Sequence, residues 1–273
     1  MSSASRELSL ADGQPIRLYQ FSRGVLRWSY TSADRNITYN NQVFRSVRGG
    51  IGDPGIIQSG DPQADRLVIT APADLEVALL YKGAPPSDEI GLTVFDLHYG
   101  EADAWVSWAG SIATVNWPAL DRCRITCLSI EASMDAPGLT DVYSRTCTAV
   151  LGDTECKVDL NQYRVTTNLQ SMTGASVFSG TFAEYPDGWF SGGHIEWPIG
   201  SGEYDRRHIE RHIGSELLLL GGTAGVPPGG SVRTYPGCDG LDTTCAGKFS
   251  NIDNMRAQPH LQGSSPFDGN QVW

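Results

Sequence analysis

Six cysteines are the residues of this chain best suited to chemistry, and four of them fall into two pairs. Cys147 and Cys156 lie in "RTCTAVLGDTECKVD", with eight residues between them. Cys238 and Cys245 lie in "GCDGLDTTC", with six between. Both pairs sit in turn-rich, poorly periodic sequence. Four thiolates that converge on a point can hold zinc or an iron–sulfur cluster. Structural zinc sites favour two to four residues between paired ligands, because a tight knuckle aims both sulfurs at one small ion. The gaps here are wider, which a larger cluster accepts more readily. Four unrelated core or surface cysteines would leave the same spacing. Cys123 and Cys127, in "DRCRITCLSI", differ: in a strand they share a face with Ile125 and read as small buried apolar side chains.

Other chemistry finds little footing. There is no G-x-S-x-G elbow, and Gly240 to Lys248 only superficially resembles a phosphate loop, since Phe249 stands where Ser or Thr belongs. His208 and His212 are four apart and would share a metal face on a helix. A strand instead puts Arg207, Ile209, Arg211 and Ile213 on one side, and that is the preferred reading. His194 and His260 read as structural hydrogen-bonding groups. Asp239, Asp242 and Asp253 read as loop and turn formers. Trp105, Trp108, Trp117, Trp189 and Trp197 fit β cores or subunit contacts.

The elements that must position these residues are mostly strands. Within 273 residues, 40% apolar and 19% charged, a proper core can form. The formal net charge of −11 excludes a protein that coats nucleic acid, which needs clustered Lys and Arg. No stretch reaches the roughly 20 apolar residues of a membrane span. The polar N-terminus, "MSSASRELSLADGQPIR", does not read as a secretory signal, so the expectation is a chain made in a cytoplasm, with thiols in place of structural disulfides.

Short runs rich in Val, Ile, Thr and Trp, broken by Gly, Pro and Asp, fill residues 16–130. "ITYNNQVF" reads as a hairpin turning at Asn40-Asn41. "DLEVALLYKG" is the one clear helix, with Asp74 as its N-cap and Gly83 as its stop. The expected fold is mainly β: an N-terminal β-barrel or sandwich domain, a small inserted second β domain, and a loop-rich four-cysteine region near the C-terminal end. The expected divisions are residues 1–130, a first cysteine segment over 131–160, the inserted domain over 161–235, and a second cysteine loop with a tail over 236–273. Residues 235–263 show neither helix nor long strand. The inserted strands leave and return to one place, which would bring the two cysteine pairs together.

The same segments carry a resemblance. "SRTCTAVLGDTECKVDL", followed after a strand-rich block by "GCDGLDTTCAGKFSNIDNMRAQPH", resembles a phage tail-hub family that includes tail tip proteins of long-tailed phages, hub proteins of gene transfer agents and related prophage proteins. The specific part is C-terminal: Gly237-Cys238-Asp239, Thr244-Cys245, Lys248-Phe249, Asn251 to Asn254, then Pro259-His260. "GGIGDPGIIQSGDPQADRLVITAPADLEVALL" is a more diffuse match. "NMRAQPH" departs from the family, which more often has an aromatic and a Gly between the Asn and the Pro. The resemblance implies a structural virion protein at the tail tip, without enzymatic activity and assembled in the host cytoplasm. It implies a ring, most simply a homo-trimer, between a distal tail protein ring and a central tip or fibre protein. It also implies a [4Fe–4S] cluster whose ligands, carried over residue by residue, are Cys147, Cys156, Cys238 and Cys245. Backbone N–H groups at Gly237, Gly240 and Gly247 would then be donors to the cluster sulfurs. Two other classes stay open on the residues alone: an iron–sulfur or zinc protein with redox or hydrolytic chemistry, and a β-rich carbohydrate-binding module.

Overall fold

The computed structural model describes residues 15–57, 59–61, 65–101, 103–135 and 142–261. The start of the polar N-terminal stretch and the tail segment "SSPFDGNQVW" lie outside the described residues. The chain is mainly β and divides into two compact units: residues 1–136 with 199–205, and residues 137–198 with 206–273. Both cysteine segments fall in the second unit, as do the strands between them apart from residues 199–205.

The first unit is built on strands β1 (Pro15–Arg23), β2 (Leu26–Thr31), β3 (Ile37–Tyr39), β4 (Gln42–Ser46), β5 (Leu67–Pro72), β6 (Gly91–His98), β7 (Trp105–Ala119) and β8 (Arg122–Ser129). They form one eight-stranded sheet in the order β3-β4-β2-β1-β6-β7-β8-β5. The β3/β4 hairpin turns as its sequence requires: Asn40 and Asn41 have φ of 48° and 58°, the left-handed pair that Asn tolerates. β1 is buried on both faces. Tyr19 and Phe21 enter a core shared with Ile69, Val94 and Ile125, while Leu18 joins a smaller cluster with Phe44 and Leu97. Each large apolar side chain so buried stabilises the fold by about 1.5–3 kcal/mol. Cys123, Ile125 and Cys127 share the inner face of β8 and are fully buried.

Loop residues 50–57 are fastened to this sheet by Asp53. Its carboxylate pairs with the Arg17 guanidinium, accepts from the Tyr19 hydroxyl at 2.6 Å and accepts from Gly55 N–H at 2.9 Å. Arg17 also reaches Asp96 at 2.9 Å. Burial by itself would raise the Asp53 pKa, but the hydrogen bonds from Arg17 and Tyr19 outweigh it and hold the carboxyl below its usual value.

The helix expected over "DLEVALLYKG" is a single turn, α1 (Glu76–Leu79), and Asp74 does not cap it. Burial of Val77 and Ala78 holds that turn, and Leu79 and Leu80 are left exposed, so nothing pays to extend it.

The second unit holds β9 (Val165–Asn168), β10 (Ser171–Thr173), β11 (Ser176–Phe178), β12 (His194–Gly200), β13 (Glu203–Ile213), β14 (Glu216–Leu219) and β15 (Ser231–Tyr235). Their order is β10-β11-β14-β13-β12-β15-β9. Phe182, Phe190 and Trp197 are its largest buried side chains. β13 departs from the expected alternation. Arg207 and Ile209 are buried, but the pairing with β14 shifts between Ile209 and Arg211, which leaves Glu210 as the extra residue of a bulge. The faces exchange there, so Arg211 and Ile213 are exposed and His212 is buried. His208 is exposed and His212 is not, so the two do not share a metal face. The His212 Nε2 edge lies 3.1 Å from the Phe182 carbonyl and 3.0 Å from that of Gly214, a structural role.

The C-terminal cysteine loop is not free of helix. α2 (Asp242–Phe249) carries Cys245 and ends at Ser250, whose φ of 50° is left-handed. Asp242 in its first turn and Lys248 in its last complement the helix dipole. Phe249 is buried and meets the Tyr163 ring edge-on at 5.2 Å, a tertiary contact that stabilises a short helix of poor intrinsic propensity.

Candidate functional site

The two cysteine pairs meet in the second unit through their backbones. Cys147 N–H donates to the Gly240 carbonyl at 2.8 Å, so the loop before Leu151 lies against the loop after Cys238. Further on, Thr148 N–H reaches the Arg256 carbonyl at 3.4 Å, and Gln258 N–H reaches that of Ser144 at 2.8 Å.

Each thiol has its own support. The Cys156 turn is organised by Asp153, whose carboxylate accepts from Val150 N–H at 2.8 Å, Glu155 N–H at 2.9 Å and Cys156 N–H at 2.6 Å. Those bonds, the one from Cys156 foremost, hold the Asp153 carboxyl below its usual pKa. Asn251 then ties this turn to the helix: its side-chain amide donates to the Cys156 carbonyl at 2.5 Å, and its backbone N–H donates to the Cys245 carbonyl at 3.0 Å.

Cys238 is placed chiefly by main-chain packing. Its neighbour Gly237 packs on Gly192 and Gly193 so closely that a Cβ at Gly237 would stand 1.8 Å from the Ser191 carbonyl oxygen. A Cβ at Gly193 would stand 2.1 Å from the Tyr235 oxygen. Only glycine fits either position. The Lys248 ammonium closes the junction by donating to the carbonyls of Trp189 at 2.6 Å and Gly237 at 2.8 Å.

The sulfurs receive backbone N–H groups, as anionic ligands require. Gly240 N–H lies 3.4 Å from Cys238 Sγ, and Arg256 N–H lies 3.3 Å from Cys147 Sγ. The Asn251 amide is 3.6 Å from Cys156 Sγ. Gly240 is thus one of the donors expected from sequence. Gly237 N–H instead points to the Trp189 carbonyl at 3.4 Å, and Gly247 lies inside α2. Arg256, Asn251, Asp153 and the Gly192-Gly193 pair were not expected. Of these, only the adjacent glycines in "SGGH" carried a sequence signal of close backbone approach.

All six cysteines are free thiols. Burial, then the other three thiols, pushes the Cys245 pKa up; burial also raises that of Cys238, with Asp239, Cys156 and Cys147 adding to it. Among the described residues, however, no three His, Cys, Asp or Glu side chains lie close enough to grip a single ion. A cavity of about 350 Å³ opens beside Cys147 and Cys238 and is also lined by Leu151, His194, Pro236 and Gly240. His194 stacks on Tyr235 at 4.5 Å, and burial lowers its pKa. His260 is exposed and makes no hydrogen bond among the described residues.

Family models match two parts of this chain. Residues 17–159 match the family described as baseplate hub protein, N-terminal attachment domain. Residues 188–265 match the family described as phage conserved hypothetical protein BR0599. An uncharacterized protein of Xylella fastidiosa (strain 9a5c) is 27% identical over 124 residues, which is 41% of this chain and 25% of the relative, so the match spans a quarter of that protein's length. A chain from the virion of a native gene transfer agent particle superposes with a TM-score of 0.76 at 21% identity, covering 99% of this chain and 97% of the other; the likeness establishes a shared fold. With just over half of its length matched, this chain belongs to the baseplate hub protein family and has its place in the tail of a phage-type particle.

Proposed function

We propose that the chain is a structural hub subunit of a tail tip, without enzymatic activity, that joins a distal tail protein ring to a central tip protein. Three copies close a ring around the tail axis. Such a ring needs a heterologous contact, in which one patch of each subunit meets a different patch of the next. With a net charge of −11 per chain, that contact must be specific.

In the same reading, Cys147, Cys156, Cys238 and Cys245 hold a [4Fe–4S] cluster of structural role. The observation that carries it is the meeting of two all-cysteine segments, separated by residues 157–237, with N–H groups already directed at three of the sulfurs. The donor set fits: four thiols, no carboxylate or imidazole among them, and a cavity beside two of them. Tetrahedral zinc would need sulfurs about 3.8 Å apart, and no three groups here are so gathered. When bound, the cluster would supply a rigid covalent tie rather than a reaction. The residues themselves do the rest: Asp153 and Asn251 aim Cys156, the glycine junction aims Cys238, and α2 presents Cys245.

Two measurements test this. Anaerobically purified protein should be brown and carry about four irons per chain; a colourless protein with zinc ends the cluster reading. A reconstruction of the tail tip should place three copies on the axis; isolated copies off the axis end the hub reading.

A further inference from the structure

Lys248 is a cation enclosed without an anion bonded to it. Its Nζ donates to two carbonyls, those of Trp189 and Gly237, and lies 4.5 Å from the centre of the Trp189 ring and 5.3 Å from that of Phe249. Among the described residues it forms no ion pair with a carboxylate. A half-buried ammonium held only by neutral groups has lost much of its hydration, and burial pulls its pKa below that of an exposed lysine. The negative groups that oppose this pull are Cys238 first and Asp239 second. Asp239 is already engaged: its carboxylate accepts from Leu241 N–H at 3.0 Å and from the Thr244 hydroxyl at 3.0 Å. By position, the site that adjoins the ammonium is the cysteine loop: Nζ holds the carbonyl of Gly237, which precedes Cys238, and Lys248 follows Cys245 by three residues on α2.

We infer that Lys248 is the built-in counter-charge of the four-cysteine site and the positioning residue for Cys238. The inference rests on the thiol-site reading above and deepens it. Four thiolates around a metal group leave net negative charge whether the group is a cluster or zinc. A compact ammonium next to that charge lowers the cost of gathering it in a partly buried place. The same ammonium bridges the Trp189 and Gly237 carbonyls and so fixes the residue that precedes Cys238. A lysine suits both tasks, because its three donors radiate from one point and can serve two carbonyls at once.

The test uses the full chain with Lys248→Met and Lys248→Arg, in two arms. The first needs no metal. Cys238 of metal-free protein is modified with a dianionic aromatic disulfide or with a neutral one, and both rates are read by peptide mass spectrometry. The wild type should favour the anionic reagent, and molar salt should flatten that preference. Lys248→Met should cut the anionic-to-neutral ratio about fivefold, and Lys248→Arg should restore most of it. An unchanged ratio in Lys248→Met overturns the inference. If that variant does not fold, a wild-type ratio insensitive to salt overturns it instead. The second arm measures the midpoint potential of the anaerobically purified proteins. Lys248→Met should be harder to reduce than the wild type and Lys248→Arg close to it; equal potentials in all three overturn the counter-charge. Absence of iron from the wild type would end the cluster reading alone, and the first arm would still decide the role of Lys248.

Discussion

Asn251 holds Cys156 and Cys245 at once: its side-chain amide donates to the carbonyl of the first at 2.5 Å, and its backbone N–H to the carbonyl of the second at 3.0 Å. The Asn254 amide in turn donates to the Asn251 side-chain oxygen at 2.7 Å, which fixes the amide's orientation. Asn251→Ala should leave the Cys156 carbonyl unsatisfied and cost about 1–3 kcal/mol. The check is a urea midpoint together with the rate of metal loss to a chelator, which should rise. An unchanged rate would mean that the turn aims Cys156 unaided.

The glycines of the cysteine loop should separate into two kinds. Gly237→Ala and Gly193→Ala force a Cβ into main chain and should destabilise the second unit by about 1–3 kcal/mol or more. Gly247→Ala meets open space inside α2 and should stabilise by about 0.5–1 kcal/mol. Denaturant titration of the three variants distinguishes them, and equal effects would refute the close approach.

Serine scanning should divide the cysteines four to two. Serine at 147, 156, 238 or 245 is expected to abolish metal binding. Serine at 127 places a hydroxyl in a fully buried site on β8 and should cost about 1–3 kcal/mol while leaving the metal in place. Serine at 123 should cost less, because Cys123 Sγ already contacts the Pro72 carbonyl at 3.1 Å and a hydroxyl can replace that bond. Iron content of each purified variant is the measurement, and bleaching by Cys123→Ser would overturn the division.

The acid limb of stability should depend on Asp53. Its folded pKa is held below the ordinary 3.8, so its contribution is present above that value and is lost as pH falls through the depressed folded value. Asp53→Asn should lower stability near neutrality and flatten the pH dependence of the urea midpoint below about pH 4. A wild-type acid slope retained in the variant would assign it to other carboxylates.

What the sequence made legible was what local chemistry decides. Asn40-Asn41 admits little besides a tight turn, and Cys123, Ile125 and Cys127 at period two could only share a face. The cysteine pairs were conspicuous because they interrupt periodicity. What stayed hidden was decided by distant partners. α2 contains two threonines and a glycine, and it forms because Phe249 has Tyr163 to pack against. The bulge at Glu210 exchanges the faces of β13 in favour of burying His212, a preference that belongs to the Phe182 and Gly214 carbonyls and not to β13 itself. The single turn at Glu76–Leu79 errs the other way, since apolar residues at helical spacing promised more burial than the first unit offers.

The contact between Gly193 and Gly237 has a consequence for grafting. Because it is made of main-chain atoms, the address of Cys238 is written first in the path of β12 and β15, and the Lys248 ammonium then fastens it. Residues 239–244 could then be exchanged for another tether, and even the spacing to the next thiol altered, while the first sulfur of the loop stays where the two strands deliver it.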